Sequence, residues 1–347
     1  MKKILSIVLT LMIISQPVFA QPDLEAALQD TAEYISAIVT EPQLGSIGGE
    51  WSVIGLARSG YEVPQQYYDD YYSRVEQFVK DCSGILHNRK YTEYSRVIVA
   101  LTAIGNDPAN VAGYNLLTPL GDYDKTILQG INGPIWALIA LDSGGYDMPV
   151  NPDAKTQATR DMYIDCILSR QLADGGFALR GTAADVKADA DVTGMALQAL
   201  SSYQHRTDVK EAIDKALNCL SNMQGENGGF ESWGAENCES CVQAIVALGE
   251  LGIPLDDPRF VKNGNTLLDN LMTYYISGQG FMHTKTGDGS NLMASEQGLY
   301  ALAAAKRLAN GEESLYNIKD NHPEPKADAK ETLNRIMQVI YALIQGV

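Results

Sequence analysis

Two aspartates stand one residue apart in Asp189-Ala190-Asp191-Val192-Thr193, immediately ahead of an apolar run that ends at Leu200. A carboxyl group at such a position can do one of two things. It can cap the helix that starts at Val192 or Thr193 and favour its positive end. Desolvated and held neutral, it can instead serve as a general acid. Glu239 stands nine residues before Leu248, as Asp191 stands nine before Leu200. Glu50 and Glu296 lie near the same end of two further apolar runs. Cleaving a glycosidic bond needs two carboxylates across a cleft, and Asp191 with Glu239 or Glu296 would form such a pair. Trp51, Tyr94, Arg96 and Trp136 also fall at or near the starts of apolar runs. With the acids they are candidates for the rim of a cavity that has apolar walls and a few convergent polar groups. Capping for the acids and core packing for the aromatics are the alternative roles.

Other chemistries find less support. Cys238-Glu-Ser-Cys241 is a lone pair of cysteines, and a structural zinc site needs two more ligands. The chain has only four histidines, His87, His205, His283 and His322. Gly278-Gln-Gly280 and Gly287-Asp-Gly289 lack a following phosphate-binding helix motif. Asp122 and Asp124 are too few for a calcium loop. No metal and no cofactor are therefore expected. The cysteine count is five, an odd number. Cys166 and Cys219 each precede a repeated glutamine by five residues. They would sit at equivalent places on neighbouring helices, too far apart to bridge, and are read as packing residues.

The elements that must position these residues are repeats. Gln171-Leu-Ala-Asp-Gly175-Gly-Phe177 recurs as Gln224-Gly-Glu-Asn-Gly228-Gly-Phe230, and degenerately as Tyr275-Ile-Ser-Gly-Gln279-Gly-Phe281. Apolar, small-residue segments recur six times: Trp51–Ala57, Tyr94–Leu101, Pro134–Leu141, Thr193–Leu200, Cys241–Leu248 and Ser295–Leu302. Between them lie charged, amphipathic stretches such as Gln65 to Lys80, Asp153 to Gln171, Asp208 to Met223 and Asp257 to Tyr275. A helix apolar on most faces is covered on most faces, whereas one with a charged stripe meets water. A repeat near fifty residues means that each helical hairpin buries its apolar face only against its neighbours. Six hairpins then close into an all-α, α/α toroid, with the small-residue helices inside and the charged ones outside. The tyrosine cluster Tyr67, Tyr68, Tyr71 and Tyr72 falls on an outer helix. No segment alternates like a strand.

Residues 1–20 read as a secretory signal: Lys2 and Lys3, the apolar run Ile4 to Ile14, and the small-residue step Val18-Phe19-Ala20. Residues 21–347 then form one toroid domain, with a C-terminal amphipathic helix over 327–344. No run is long enough to span a membrane. The formal charge of −17 argues against nucleic acid and anionic membranes as partners. A secreted monomer is expected.

The Gln-x-x-x-Gly-x-aromatic turn followed by a small-residue inner helix resembles the repeat of the squalene cyclase and protein prenyltransferase superfamily. That resemblance runs from about Ile47 to Arg307, with Phe177 and Phe230 where the repeat usually carries Trp. It implies the toroid fold. It also sets Asp189 and Asp191 on the first and middle positions of the cyclases' Asp-x-Asp-Asp motif, with Val192 in place of the last aspartate. Asp191 would then be the acid that protonates a polyprenyl substrate, with Asp189 orienting it. The prenyltransferases hold zinc with aspartate, cysteine and histidine. Ser295-Glu296-Gln297 stands where their histidine would be, which excludes that branch. An intact scaffold with an incomplete acid motif implies a binding protein for an apolar or corrinoid-like molecule in the central cavity, lined by Glu50, Trp51, Tyr94, Arg96, Trp136, Glu239 and Glu296. A terpene cyclase is the alternative. A module binding the cell wall or a surface protein through its acidic outer ring is the third reading.

Overall fold

The computed structural model describes residues 23–319, except 180, 182–185, 233 and 288. The expected signal segment and the helix over 327–344 lie outside the described residues. Six inner helices carry the fold: α2 (Trp51–Ser59), α4 (Thr92–Ala103), α6 (Asn132–Ser143), α8 (Ala190–Leu200), α10 (Cys238–Leu251) and α12 (Leu292–Asn310). Each packs on the next, and α12 packs back on α2, so the ring is closed. The outer layer comprises α1 (Leu24–Ile38), α3 (Gln65–Asp81), the single turn α5 (Tyr123–Thr126), α7 (Arg160–Leu168), α9 (Thr207–Met223) and α11 (Leu267–Met272). The all-α toroid expected from the repeats is the fold observed.

Small residues decide how close the inner helices come. A Cβ on Gly194 of α8 would lie 2.8 Å from the Gln243 carbonyl oxygen of α10. One on Gly55 of α2 would lie 3.0 Å from the Leu299 side chain of α12. Apolar contacts of this density supply most of the stabilisation, at roughly 25 cal/mol per Å² of apolar surface buried. The three repeat aromatics Phe177, Phe230 and Phe281 are buried in that core.

The repeated glutamine has a structural task. Gln171 Nε2 donates to its own turn at Gly175 O (2.8 Å) and to Ala212 O of the next outer helix (2.8 Å). Gln224 Nε2 repeats this with Gly228 O and Phe260 O, both at 2.9 Å. Gly175 and Gly228 take φ of +92° and +84°, a region that glycine enters without a Cβ penalty. In the degenerate third copy, Tyr275 Oη and the Gly278 N–H instead bond Asp30 of α1. That copy thereby ties the last hairpin to the first helix and helps close the ring.

Three details depart from the sequence reading. The outer helix expected from Asp153 begins only at Arg160, and the one expected over Asp257 to Tyr275 is reduced to a 3₁₀ turn (Pro258–Phe260) and the six residues of α11. Pro258, and a turn whose Asn263 and Gly264 both take positive φ, interrupt it. Two short antiparallel ribbons also form. One pairs β1 (Glu231–Ser232) with β2 (Ala235–Glu236), the other β3 (Tyr275–Ile276) with β4 (Gly280–Phe281). Each is only two residues per strand, too short to leave an alternating signal. The five cysteines are unbridged, with Cys219 buried as expected and Cys166 half-buried. No helix among the described residues is long and apolar enough to cross a membrane.

Candidate active site

All six inner helices run in one direction, so their N-terminal ends share one mouth of the toroid. Asx residues set the starts of the last three. Asp189 Oδ1 accepts from Val192 N–H (3.0 Å), Asn237 Oδ1 from Ser240 N–H (2.9 Å) and Asn291 Oδ1 from Ala294 N–H (3.1 Å). Two residues inside each cap come Asp191, Glu239 and Met293. One turn deeper come Met195, Gln243 and Gln297. All six line a cavity of about 500 Å³. The i, i+4 spacing puts each pair on one helix face, and the shared caps put the three faces level.

The wall is completed by Trp51, Trp136 and Tyr300, and by Ser232, Ala235, Asn237 and His283 from the loops above. Trp51 packs on Trp136 at a ring distance of 5.2 Å and on Tyr300 at 5.6 Å. Below the acids runs a belt of amides and hydroxyl. Gln243 Nε2 donates to Tyr300 Oη (2.9 Å) and Gln297 Oε1 (3.2 Å), while Gln198 Nε2 donates to Gln243 Oε1 (3.0 Å).

The cavity is blind. At the far mouth, residues 312–319 cross the C-terminal ends of the inner helices. Buried Arg58 of α2 donates to three strap carbonyls, those of Leu315 (2.9 Å), Ser314 (2.8 Å) and Asn317 (3.1 Å). Glu250 of α10 accepts from Ser314 Oγ (2.7 Å) and Tyr316 N–H (3.0 Å). The buried Tyr316 ring meets Trp136 edge-on at 6.1 Å.

The two acids of the cavity wall are held differently. Burial pushes Asp191 up to about 6; hydrogen bonding from Ser240 opposes this, and the charges of Asp189 and Glu239 add to it. Glu239 is also raised by burial, but its own backbone N–H and His283 oppose the shift. His283 Nδ1 lies 2.7 Å from Glu239 Oε2, and facing a carboxylate that nitrogen carries the proton. Asp191 Oδ1 and Glu239 Oε1 are buried without a hydrogen-bond partner.

Of the predicted residues, Asp191, Glu239, Trp51 and Trp136 come together in the cavity. Asp189 caps α8 and accepts from Ser232 Oγ at 2.8 Å, so it positions the loop above the site. Glu50 and Glu296 are buried behind the wall, where they latch the turn Ser46–Glu50. Glu50 accepts from Gly45 N–H at 2.9 Å, and Glu296 from Gly48 N–H at 2.9 Å and from Ser52 Oγ. Burial pushes Glu296 up to about 7. Arg96 pairs with Glu93 and Glu50, and Tyr94 packs on Tyr91 at 5.2 Å. These four take no part in the cavity wall because their helices turn those faces toward the neighbouring hairpin.

Sequence reasoning missed His283, Gln243, Gln297 and Tyr300. A signal existed for each. Gln243, like Gln297, follows a first-turn lining position by four residues, and Tyr300 follows by seven. His283 stands two residues after the repeat Phe281, as Ser232 stands two after Phe230. Both reach back to an acid of the preceding hairpin. Cys238 and Cys241 are buried, and Cys241 Sγ donates to Leu267 O at 3.1 Å. Among the described residues no group of three or more His, Cys, Asp or Glu could hold a metal ion.

No protein-family profile matches the chain. No curated protein is significantly similar to it in sequence. Solved structures are similar in fold. One is the unsaturated glucuronyl hydrolase, responsible for the degradation of glycosaminoglycan, from Bacillus sp. GL1: 14% identity, 85% of this chain and 99% of that one, TM-score 0.50. Another is a glycosidase variant in complex with glucose: 11% identity, 82% of this chain and 98% of that one, TM-score 0.51. These likenesses establish the α/α toroid and not membership of the squalene cyclase superfamily.

They also overturn the functional expectations. The apolar or corrinoid-like binding protein and the terpene cyclase rested on the cyclase resemblance and on export, and the surface interaction module on the acidic outer ring. The two solved toroids named above are sugar hydrolases. The repeat turns specify how hairpins stack, and they place no constraint on what the hub holds.

Proposed function

We propose that the protein is a glycoside hydrolase that removes a terminal sugar from a saccharide, with Asp191 as general acid and Glu239 as the second carboxylate. The observation that carries this reading is one blind cavity walled by two carboxyl groups, Asp191 and Glu239, of which Glu239 pairs with His283. Two carboxyl groups at one site are what glycosidic cleavage requires. Asp191, raised by burial and by two neighbouring carboxylates, is protonated in mildly acidic water. It gives its proton to the glycosidic oxygen as the bond to the anomeric carbon breaks. Glu239, paired with His283, acts as a carboxylate and takes a proton from the water that attacks that carbon. Glu239 then releases its proton to solvent and the spent Asp191 carboxylate takes one up, which restores both groups.

Trp51 and Trp136 offer faces for a sugar ring, and the amide belt offers donors and acceptors for its hydroxyls. The floor of Tyr300 and Tyr316 stops a chain from threading through, which favours attack at an end over attack within a chain. Residues 1–20 support a place of action outside the cytoplasm.

The test is hydrolysis of a panel of aryl glycosides by the wild-type protein and by Asp191→Asn. Turnover of at least one glycoside, lost on substitution with the fold retained by circular dichroism, supports the assignment. Equal turnover by the variant removes Asp191 from the mechanism. No turnover across the panel and across natural oligosaccharides would sink the hydrolase reading.

A further inference from the structure

We infer that the sugar this cavity accepts carries no negative charge, and that a protonated amino sugar is its preferred occupant. The inference rests on the hydrolase reading for the site, and it goes further by naming the substrate class.

Three observations carry it. First, among the described residues no Lys or Arg lines the cavity. Among the described lining residues the one able to carry positive charge, His283, is half-exposed at the rim and committed to Glu239 at 2.7 Å. A uronate carboxylate in this cavity would be desolvated beside Asp191 and Glu239 with no cation to meet it. Second, Glu239 is only 6% exposed, and its Oε1 is buried with no hydrogen-bond partner. Asp191 Oδ1 is in the same state. Both side chains line the same cavity, and two carboxyl groups meeting one occupant fit a group that brings several N–H donors and a positive charge. Third, the opposite wall is aromatic: Trp51, Trp136 and Tyr300 line the same cavity. Ring faces attract cations and do nothing for anions.

The chemistry of the sugar closes the argument. In a hexosamine the amine sits on the carbon next to the anomeric centre. A ring placed for attack between two carboxyl groups therefore brings its amine among those same groups. The hydrolase from Bacillus sp. GL1 is described as acting in glycosaminoglycan degradation, and an unsaturated glucuronyl group is an acid. Among the described residues of the present cavity none is suited to that charge.

The experiment measures equilibrium binding of glucosamine, glucose and glucuronate to the wild-type protein by calorimetry, at about pH 6.5 where an amine is charged, at low and high salt. The expected order is glucosamine, then glucose about tenfold weaker, with glucuronate undetectable. The glucosamine advantage should shrink at high salt and should fall to about twofold in Glu239→Gln. Glucuronate binding as tightly as glucosamine overturns the inference, as does failure of all three sugars to bind. An advantage unchanged in a folded Glu239→Gln also overturns it. Binding needs no turnover, so the expected order in a protein that hydrolyses nothing would keep this inference and remove the hydrolase reading alone. Turnover with glucuronate preferred would do the reverse.

Discussion

The two mouths of the toroid hold buried carboxylates in opposite states. At the far mouth, both Glu250 oxygens accept hydrogen bonds from the strap, and Arg58 is spread over three carbonyls. At the near mouth, Asp191 and Glu239 each keep a buried oxygen without a donor. A buried carboxyl with both oxygens bonded is structure. An unsatisfied one costs stability, by about 1–3 kcal/mol or more, and such groups concentrate where chemistry is done. The same ring of helices therefore closes one end as a plug and leaves the other as a reactive pocket.

Breaking this contrast at the near mouth should give the largest effect. Asp191→Asn is expected to lower kcat/KM for a susceptible glycoside by about 10²–10⁴-fold, while thermal unfolding moves little or upward. A variant that loses stability and keeps its activity would make Asp191 a cap.

At the far mouth the expectation is inverted. Arg58→Ala removes the donor to three carbonyls and should lower unfolding free energy by about 2–4 kcal/mol, measured by urea denaturation. Activity per folded molecule should fall much less. Arg58→Lys should restore little, since an ammonium cannot span the same three oxygens.

Between the mouths, Gly194→Ala tests the close approach of α8 and α10. The added methyl meets the Gln243 carbonyl at 2.8 Å. A loss of about 1–3 kcal/mol is expected, with catalysis impaired as well because Asp191 and Gln243 are pushed apart. A neutral outcome would mean that the ring tolerates wider spacing.

Both ends contribute to pH dependence with the same sign. Burial raises Asp191 and Glu250 to about 6, from 3.8 and 4.5. A carboxyl raised in the folded state contributes stability that is fully present below its unfolded value and is lost as pH rises through the folded value. Stability should therefore fall between about pH 4 and pH 7. Glu250→Gln should flatten that slope by about 1–2 kcal/mol. A slope unchanged in Glu250→Gln would mean that the strap does not hold this carboxyl as described.

The smallest expected effect sharpens the near mouth. His283→Ala leaves Glu239 without its partner, so the carboxylate forms only at higher pH. The acid limb of the kcat/KM profile should move upward, with a loss of about tenfold near neutrality. The equivalent Ser232→Ala, which frees Asp189, should change the rate less and leave the limb in place.

The sequence by itself determined the architecture. Six small-residue helices at a regular spacing, glycine turns and repeated glutamines left one way to bury the apolar faces, and the closed ring follows. It also located Asp191 and Glu239, because capping fixes a residue's height along its helix. Height is a local property, legible from spacing. Which way each first-turn side chain points depends on the rotation of that helix against both neighbours, and this only the tertiary structure decided. So Glu296, three residues after Met293, turns into the wall as a latch, while Gln297 turns into the hub. The strap over the far mouth was equally hidden. Its partners Arg58 and Glu250 lie far from it in sequence, and nothing local to residues 312–319 signals that they end a cavity. The cyclase-like repeat misled on function for the same reason: a repeat encodes the contacts between hairpins, while chemistry resides in side chains that those contacts leave free.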